Sequence, residues 1–376
     1  MHKGYGGDAR VLDLDQLLRQ AVEQDASDVH IKVGSPPFVR IDGRLEKTGF
    51  DAVSPAETER VAFAIMPKQR AEEFLGSGEA DFAYSVAGLG RFRVNVMRQR
   101  GSVGLVLRKV QQSIPSFEDL GLPPAVRRLS ENPRGLVLVT GPTGSGKTTT
   151  LACMIDHIND TMSRHIVTIE DPIEVLHADK QSIVNQREIG TDTADFASAL
   201  KRVLRQDPDV ILVGEMRDTE TVKTALSAAE TGHLVFSTLH TISATETINR
   251  VIDFFPPFEQ RQVRMSLAGS LRGIVSQRLV ECRAGTGRVP AVEVLVATGR
   301  VFDKIVNSDE THEIEEIIAE GEYYGMQTFD QSLLSLYKRG AIDLREALAA
   351  SSRPHDLRLM IEQFTMAQAN EAAEPA

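Results

Sequence analysis

Leu136-Val137-Leu138-Val139-Thr140-Gly141-Pro142-Thr143-Gly144-Ser145-Gly146-Lys147-Thr148 decides how this chain folds. An apolar run gives way to a glycine-rich turn, and Leu151, Ile155 and Ile158 then recur at helical spacing. The turn fits G-x-x-x-x-G-K-[ST] in the strand-then-helix setting that gives the pattern its meaning. Glycines let backbone N–H groups close around a polyphosphate, and the helix N-terminus adds positive dipole. Lys147 can reach the β- and γ-phosphates, and the Thr148 hydroxyl can ligate Mg²⁺. Gly141, Pro142, Thr143, Gly144, Ser145, Gly146, Lys147, Thr148 and Thr149 are therefore expected to cradle a nucleoside triphosphate such as ATP.

Strand and helix alternate beyond this turn, which predicts a mostly parallel α/β sheet. The expected strands are Leu136–Val139, His165–Ile169, Val210–Val213 and Leu234–Ser237, with a helix over Phe196–Arg205. After Ile248 the pattern reads as mainly helical, with a late helix near Phe329–Lys338. Before it, Val11–Val110 reads as a small α+β domain. Leu14, Leu17, Leu18, Ala21 and Val22 form a helical stripe, and Val29, Ile31 and Val33 alternate as in a half-buried strand. Asp42-Gly43 signals a hairpin, and a helical region from Pro55 to Phe74 is interrupted at Met66-Pro67. Strand alternation returns at Asp81–Val86, Arg91–Val96 and Val103–Leu107. The expected layout is an N-terminal domain at 1–112, a proline-marked linker at 113–134, the α/β domain at 135–366 and a disordered tail at 367–376.

A chain of 376 residues has room for two or three domains at ~150 residues each. Its 41% hydrophobic and 25% charged residues are those of an ordinary globular protein. The net charge of −11 implies no general affinity for nucleic acid, which weighs against helicase or recombinase readings of the turn. Cys153 and Cys282 form no C-x-x-C pair, so neither a disulfide framework nor a zinc site is expected. No secretory leader or uncharged 18-residue apolar run stands out, so no transmembrane segment is expected.

Two further stretches carry acids to the same expected sheet edge. Asp209–Glu215 is a buried-looking strand ending in Gly214-Glu215, where a carboxylate can hold Mg²⁺ through water or polarise the attacking water. Asp209 sits at the other end of that strand and is expected to cap it. Glu170, Asp171 and Glu174 follow another strand, and spacing does not decide which glutamate is the base. His233 and His240 flank a short strand, as phosphate sensors or as satisfied structural residues. Arg91 and Arg93 share one strand face, either solvated or offered as arginine fingers.

In this order the motifs resemble the type II/IV secretion ATPase superfamily, and within it the pilus retraction (PilT) type. The resemblance spans Ala26-Ser27-Asp28-Val29-His30-Ile31 to Tyr324-Gly325-Met326-Gln327-Thr328-Phe329-Asp330 and is most specific at Ile169–Glu174, Val184–Glu188, Asp207–Asp218 and Ala229–Thr241. It implies a RecA-like P-loop ATPase domain preceded by a smaller PAS-like α+β domain, assembled as a homo-hexamer that uses ATP and Mg²⁺. It further implies that Glu174 is the general base and Glu215 the Walker B acid and Mg²⁺ partner of Thr148. His233 and His240 become the histidine box, and Arg91 and Arg93 the arginine fingers. The implied function is pilus retraction and twitching motility. The implied setting is the cytoplasm, peripheral at the inner face of the membrane, on an inner-membrane platform protein and alongside a paralogous pilus ATPase. A nucleotide-binding accessory subunit and an assembly or secretion ATPase are the alternatives. Gly299-Arg300-Val301-Phe302 departs from the Ala-Ile-Arg-like helix start common in the retraction type.

Overall fold

The computed structural model describes residues 12–41, 43–285 and 287–373. The chain divides between Gln112 and Ser113 into two compact units.

The first unit opens with α1 (Leu14–Glu23), whose Leu17, Leu18 and Ala21 are buried and whose N-terminus is capped by Asp13, which accepts from the Gln16 N–H at 3.1 Å. β1 (Asp28–Ile31), β2 (Phe38–Ile41) and β3 (Arg44–Lys47) follow. Asp42 of the expected hairpin lies outside the described residues, while Ile41 and Arg44 pair on either side of it. The next helical region is two helices, α2 (Pro55–Ile65) and α3 (Lys68–Ser77), separated at Met66-Pro67 because proline has no N–H to continue the ladder. β4 (Glu79–Val86), β5 (Gly90–Gln99) and β6 (Ser102–Lys109) complete an antiparallel sheet of order β3-β2-β1-β6-β5-β4. Phe92, Val94 and Val96 of β5 join the core with Leu17, Leu18 and Phe74, so Arg91 and Arg93 take the opposite face of that strand.

The second unit begins with α4 (Phe117–Leu120) and α5 (Pro124–Ser130). The expected linker is thus largely folded. Phe117, Val126 and Leu129 are buried in one cluster with Val137, Val139 and Ile155. Then come β7 (Gly135–Thr140), α6 (Lys147–Thr161), β8 (His165–Glu170), β9 (Ile183–Glu188) and α7 (Phe196–Val203). β10 (Val210–Val213), α8 (Thr219–Glu230), β11 (Leu234–Leu239), α9 (Ala244–Asp253) and α10 (Pro257–Ser270) continue the alternation. β12 (Leu271–Glu281) and β13 (Arg288–Val296) lead to α11 (Gly299–Val306), α12 (Ile314–Glu320), α13 (Phe329–Lys338), α14 (Leu344–Ala350) and α15 (Pro354–Ala373). The segment read as a tail is therefore helical over 367–373.

The sheet order is β13-β12-β7-β11-β10-β8-β9, parallel except for β13. Both faces are covered. Leu136 and Leu138 of β7 pack among α7–α12, and Val137 and Val139 among α4–α6. Each such side chain, fully buried, contributes about 1.5–3 kcal/mol.

The expected helical character after Ile248 fails at β12 and β13, a hairpin that adds two strands beside β7. β12 is buried on both faces, so it has no period-two pattern, and Arg272, Gln277 and Arg278 break its apolar run. Gly273 fits because a Cβ there would lie 2.6 Å from the Leu129 side chain and 2.7 Å from the Leu295 carbonyl oxygen. The divergent Gly299–Val306 stretch is still a helix, capped by the Thr298 hydroxyl. Among the described residues, no helix is long and apolar enough to cross a membrane.

Candidate functional site: a phosphate cradle facing a row of carboxylates

β7 ends at Thr140, and the chain turns through Gly141–Gly146 into α6. Gly141 must be glycine, since its φ is +143° and a Cβ would lie 2.4 Å from the Gln277 carbonyl oxygen. No side chain caps α6, so its first-turn N–H groups face outward as anion ligands. Lys147 is buried and donates from Nζ to the carbonyl oxygens of Gly141 and Pro142 at 2.8 and 3.0 Å. Burial pulls its ammonium below the usual lysine range, and the carboxylates of Glu215 and Glu174 work against that pull.

The carboxylates reach this loop because parallel strands present their C-terminal ends at one edge. β11 lies between β7 and β10, which puts His240, the residue just past the end of β11, between the P-loop and Glu215. His240 Nε2 is 3.3 Å from Glu215 Oε1, and Arg217 donates from Nε to Glu215 Oε2 at 2.7 Å. Arg217 Nη1 also lies 3.6 Å from Asp171 Oδ2. One chain of polar contacts thus runs Asp171–Arg217–Glu215–His240 along the cleft. Glu170 is buried at the end of β8, where Thr168 Oγ1 and Gln186 Nε2 donate to its Oε1 at 2.6 and 3.0 Å. Burial raises its carboxyl above the usual range despite those bonds. Glu174 is exposed and lines the same cleft, of about 500 Å³, with Lys147, Thr148, Glu215 and His240.

Gly144, Ser145, Gly146, Thr143 and Thr149 also line it, and Gly141 and Pro142 enter through their bonds to Lys147. His233 does not join. It precedes β11 at the opposite sheet edge, with Nδ1 2.9 Å from the Ala228 carbonyl oxygen. The two histidines are therefore not one constellation within the chain. Arg91 and Arg93 lie half-buried on β5 in the first unit. Asp209 is at the far edge too, accepting from the His165 N–H at 2.8 Å. Cys153 is buried, and burial pushes its thiol up to about 12, so it is an inert packing residue.

Sequence reasoning gave no individual role to Arg217, Gln186 or His177, though the first two fall inside its most specific stretches. Arg217 was findable from its place two residues beyond the strand-end acid. His177 lines the cleft with its ring pushed down to about 4 by burial, and no spacing rule marks it.

The chain has known relatives. A family model described as type II/IV secretion system protein matches residues 7–327. The chain belongs to that family. It is 43% identical over 345 residues to the type IV pilus retraction ATPase PilT of Pseudomonas aeruginosa, covering 92% of this chain and 100% of the relative. It is 42% identical over 351 residues to the type IV pilus ATPase PilU of the same organism, covering 93% and 92%. The crystal structure of the pilus retraction motor PilT with bound ADP matches with a TM-score of 0.85 and 48% identity, over 92% of this chain and 99% of that one. The fold is accordingly the family's, a RecA-like P-loop unit preceded by a smaller PAS-like α+β unit.

Proposed function

We propose that this chain is an ATP-hydrolysing motor that powers type IV pilus retraction. It works as a homo-hexamer in the cytoplasm, peripheral at the inner face of the membrane, on an inner-membrane platform protein. The observation that carries this reading is one cleft holding Lys147 and Thr148 on one side and Glu174, Glu215 and His240 on the other. The similarity to PilT over nearly the whole chain supports the mechanical output.

In the cleft, the ammonium of Lys147 leaves the carbonyls of Gly141 and Pro142 for the β- and γ-phosphates. Its desolvation makes an anion the better partner. The N–H groups of Gly144–Thr149 enclose the phosphates. Thr148 and Glu215 would hold a Mg²⁺ ion, a hard cation that takes oxygen ligands and would neutralise phosphate charge. Glu174 accepts the proton of the attacking water, and ADP and phosphate leave. His240 holds Glu215 at one oxygen and Arg217 holds it at the other, so the carboxylate is oriented before substrate arrives. Arg91 and Arg93 supply further positive charge to the transition state in the assembled ring. His233, at the far sheet edge, is held to the Ala228 carbonyl oxygen and takes no part in the chemistry of this cleft.

Phosphate release from ATP by the purified protein, abolished in Lys147→Ala, tests the chemistry. A deletion strain tests the direction: surface pili accumulate without twitching if the motor retracts and disappear if it extends. The alternative reading is a nucleotide-binding accessory subunit beside a separate pilus motor. Tight nucleotide binding with little turnover by the isolated chain would select it.

A further inference from the structure

The loop from Glu170 to His177 carries Glu174, and no helix or strand forms between β8 and β9 to hold it. It is held instead by two side chains of β9 at i and i+2, which strand geometry puts on one face. Glu188 Oε2 accepts from the Ile173 N–H at 3.2 Å. Gln186 Nε2 donates to the Val175 carbonyl oxygen at 2.9 Å. The residues on both sides of Glu174 are thus pinned by the same strand. Gln186 Nε2 also donates to Glu170 Oε1 at 3.0 Å, and its Oε1 accepts from the His177 N–H at 2.9 Å. Both amide hydrogens and the amide oxygen of Gln186 are committed to this loop.

We propose that Gln186 is a positioning residue for ATP hydrolysis, clamping the Glu170–His177 loop so that Glu174 faces the phosphate cradle. This rests on the reading of Glu174 as the base. Only an amide of this length does the job. A carboxylate has no hydrogen to give Glu170 or Val175, asparagine is one methylene short, and methionine fills the space without bonds. Gln186 itself does not line the cleft, so its loss misaims the base without emptying the cleft.

The test compares Gln186→Met, Gln186→Glu and Glu174→Gln in the full-length protein, by ATP turnover and by binding of a fluorescent ATP analogue. Gln186→Met is expected to lower kcat about tenfold to a hundredfold, the cost of a misplacement near 1 Å, with KM and analogue affinity changed less than about twofold. Gln186→Glu is expected to fall at least as far, because it keeps the shape and the acceptor but loses both donors. If either folded variant keeps wild-type kcat while Glu174→Gln is inactive, the clamp is overturned and the base assignment stands. A parallel loss of nucleotide affinity overturns it as well, since that marks general damage to the cleft. Wild-type turnover in Glu174→Gln removes the base and the clamp's purpose together. Should Gln186→Met fail to fold, Gln186→Glu carries the comparison alone.

Discussion

β11 carries a histidine at each end, and the two ends do different work. At the C-terminal end, His240 meets Glu215 at 3.3 Å inside the cleft. At the N-terminal end, His233 binds the Ala228 carbonyl of its own helix–strand turn. Seven positions of extended chain separate them, on the order of 20 Å. The same division runs across the sheet. Its C-terminal edge gathers Lys147, Glu170, Glu174, Glu215 and Arg217, and its N-terminal edge holds strands together through Asp209. A motif continuous in sequence is thus split by the strand it spans, and only the edge tells which half does chemistry in this chain.

The division predicts that changes at the C-terminal edge cost turnover, and changes at the other edge cost stability. Lys147→Ala is the largest. Removing the charge that meets the phosphates should lower kcat/KM for ATP about a hundredfold to a thousandfold, read by phosphate release. His240→Ala should lower kcat about a hundredfold, since Glu215 loses one of the two groups that orient it. His233→Ala should stay within about twofold of wild type, because it loses one hydrogen bond at a surface turn. A large loss in His233→Ala that appears only in the assembled ring would break the single-chain comparison and place that residue at a neighbour's cleft.

Glu293 sharpens the same contrast from below the site. It is buried on β13 and accepts from the Ala244 N–H at 2.7 Å, where α9 begins just after the His240 loop. Burial pushes its carboxyl up to about 7 from a usual 4.5. Its folded-state value is raised, so the stability it contributes is fully present below about pH 4.5 and is lost as pH rises towards 7. The loss is roughly 3 kcal/mol at most. Urea unfolding at several pH values should show that slope in wild type and a flatter one in Glu293→Gln. Equal slopes would mean that the carboxyl does not titrate in this window.

How far the sequence carried these positions differs by kind. The P-loop was legible because its chemistry needs consecutive residues, from Gly141 to Thr148, and Glu215 because it ends a run too apolar to be anything but a buried strand. Gln186 acts through Glu170, far enough off in sequence that only folding brings the two together, whereas Arg217 lies beside Glu215 and only its longer contact with Asp171 needs the fold. β12 and β13 escaped because burial on both faces erases the period on which strand reading depends. The first unit was easier. Its antiparallel strands bury one face, so Phe92, Val94 and Val96 alternate with Arg91, Arg93 and Asn95.

Asp209 gives the smallest effect and the cleanest separation of the two edges. It was expected to cap its strand, and it bridges two: Asp209 Oδ2 accepts from the His165 N–H at 2.8 Å, and Oδ1 from Arg164 Nη1 at 3.1 Å. Those bonds tie the start of β10 to the start of β8, a full strand length from Glu215. The side chain is 42% exposed, so water replaces much of what is lost on its removal. Asp209→Ala should cost about 1 kcal/mol in urea unfolding and leave kcat and KM within about twofold. A fall in kcat at unchanged stability would show that the entry of β10 sets the position of Glu215 at its exit. The strand would then act as a rod rather than a spacer, and the two edges would be one device.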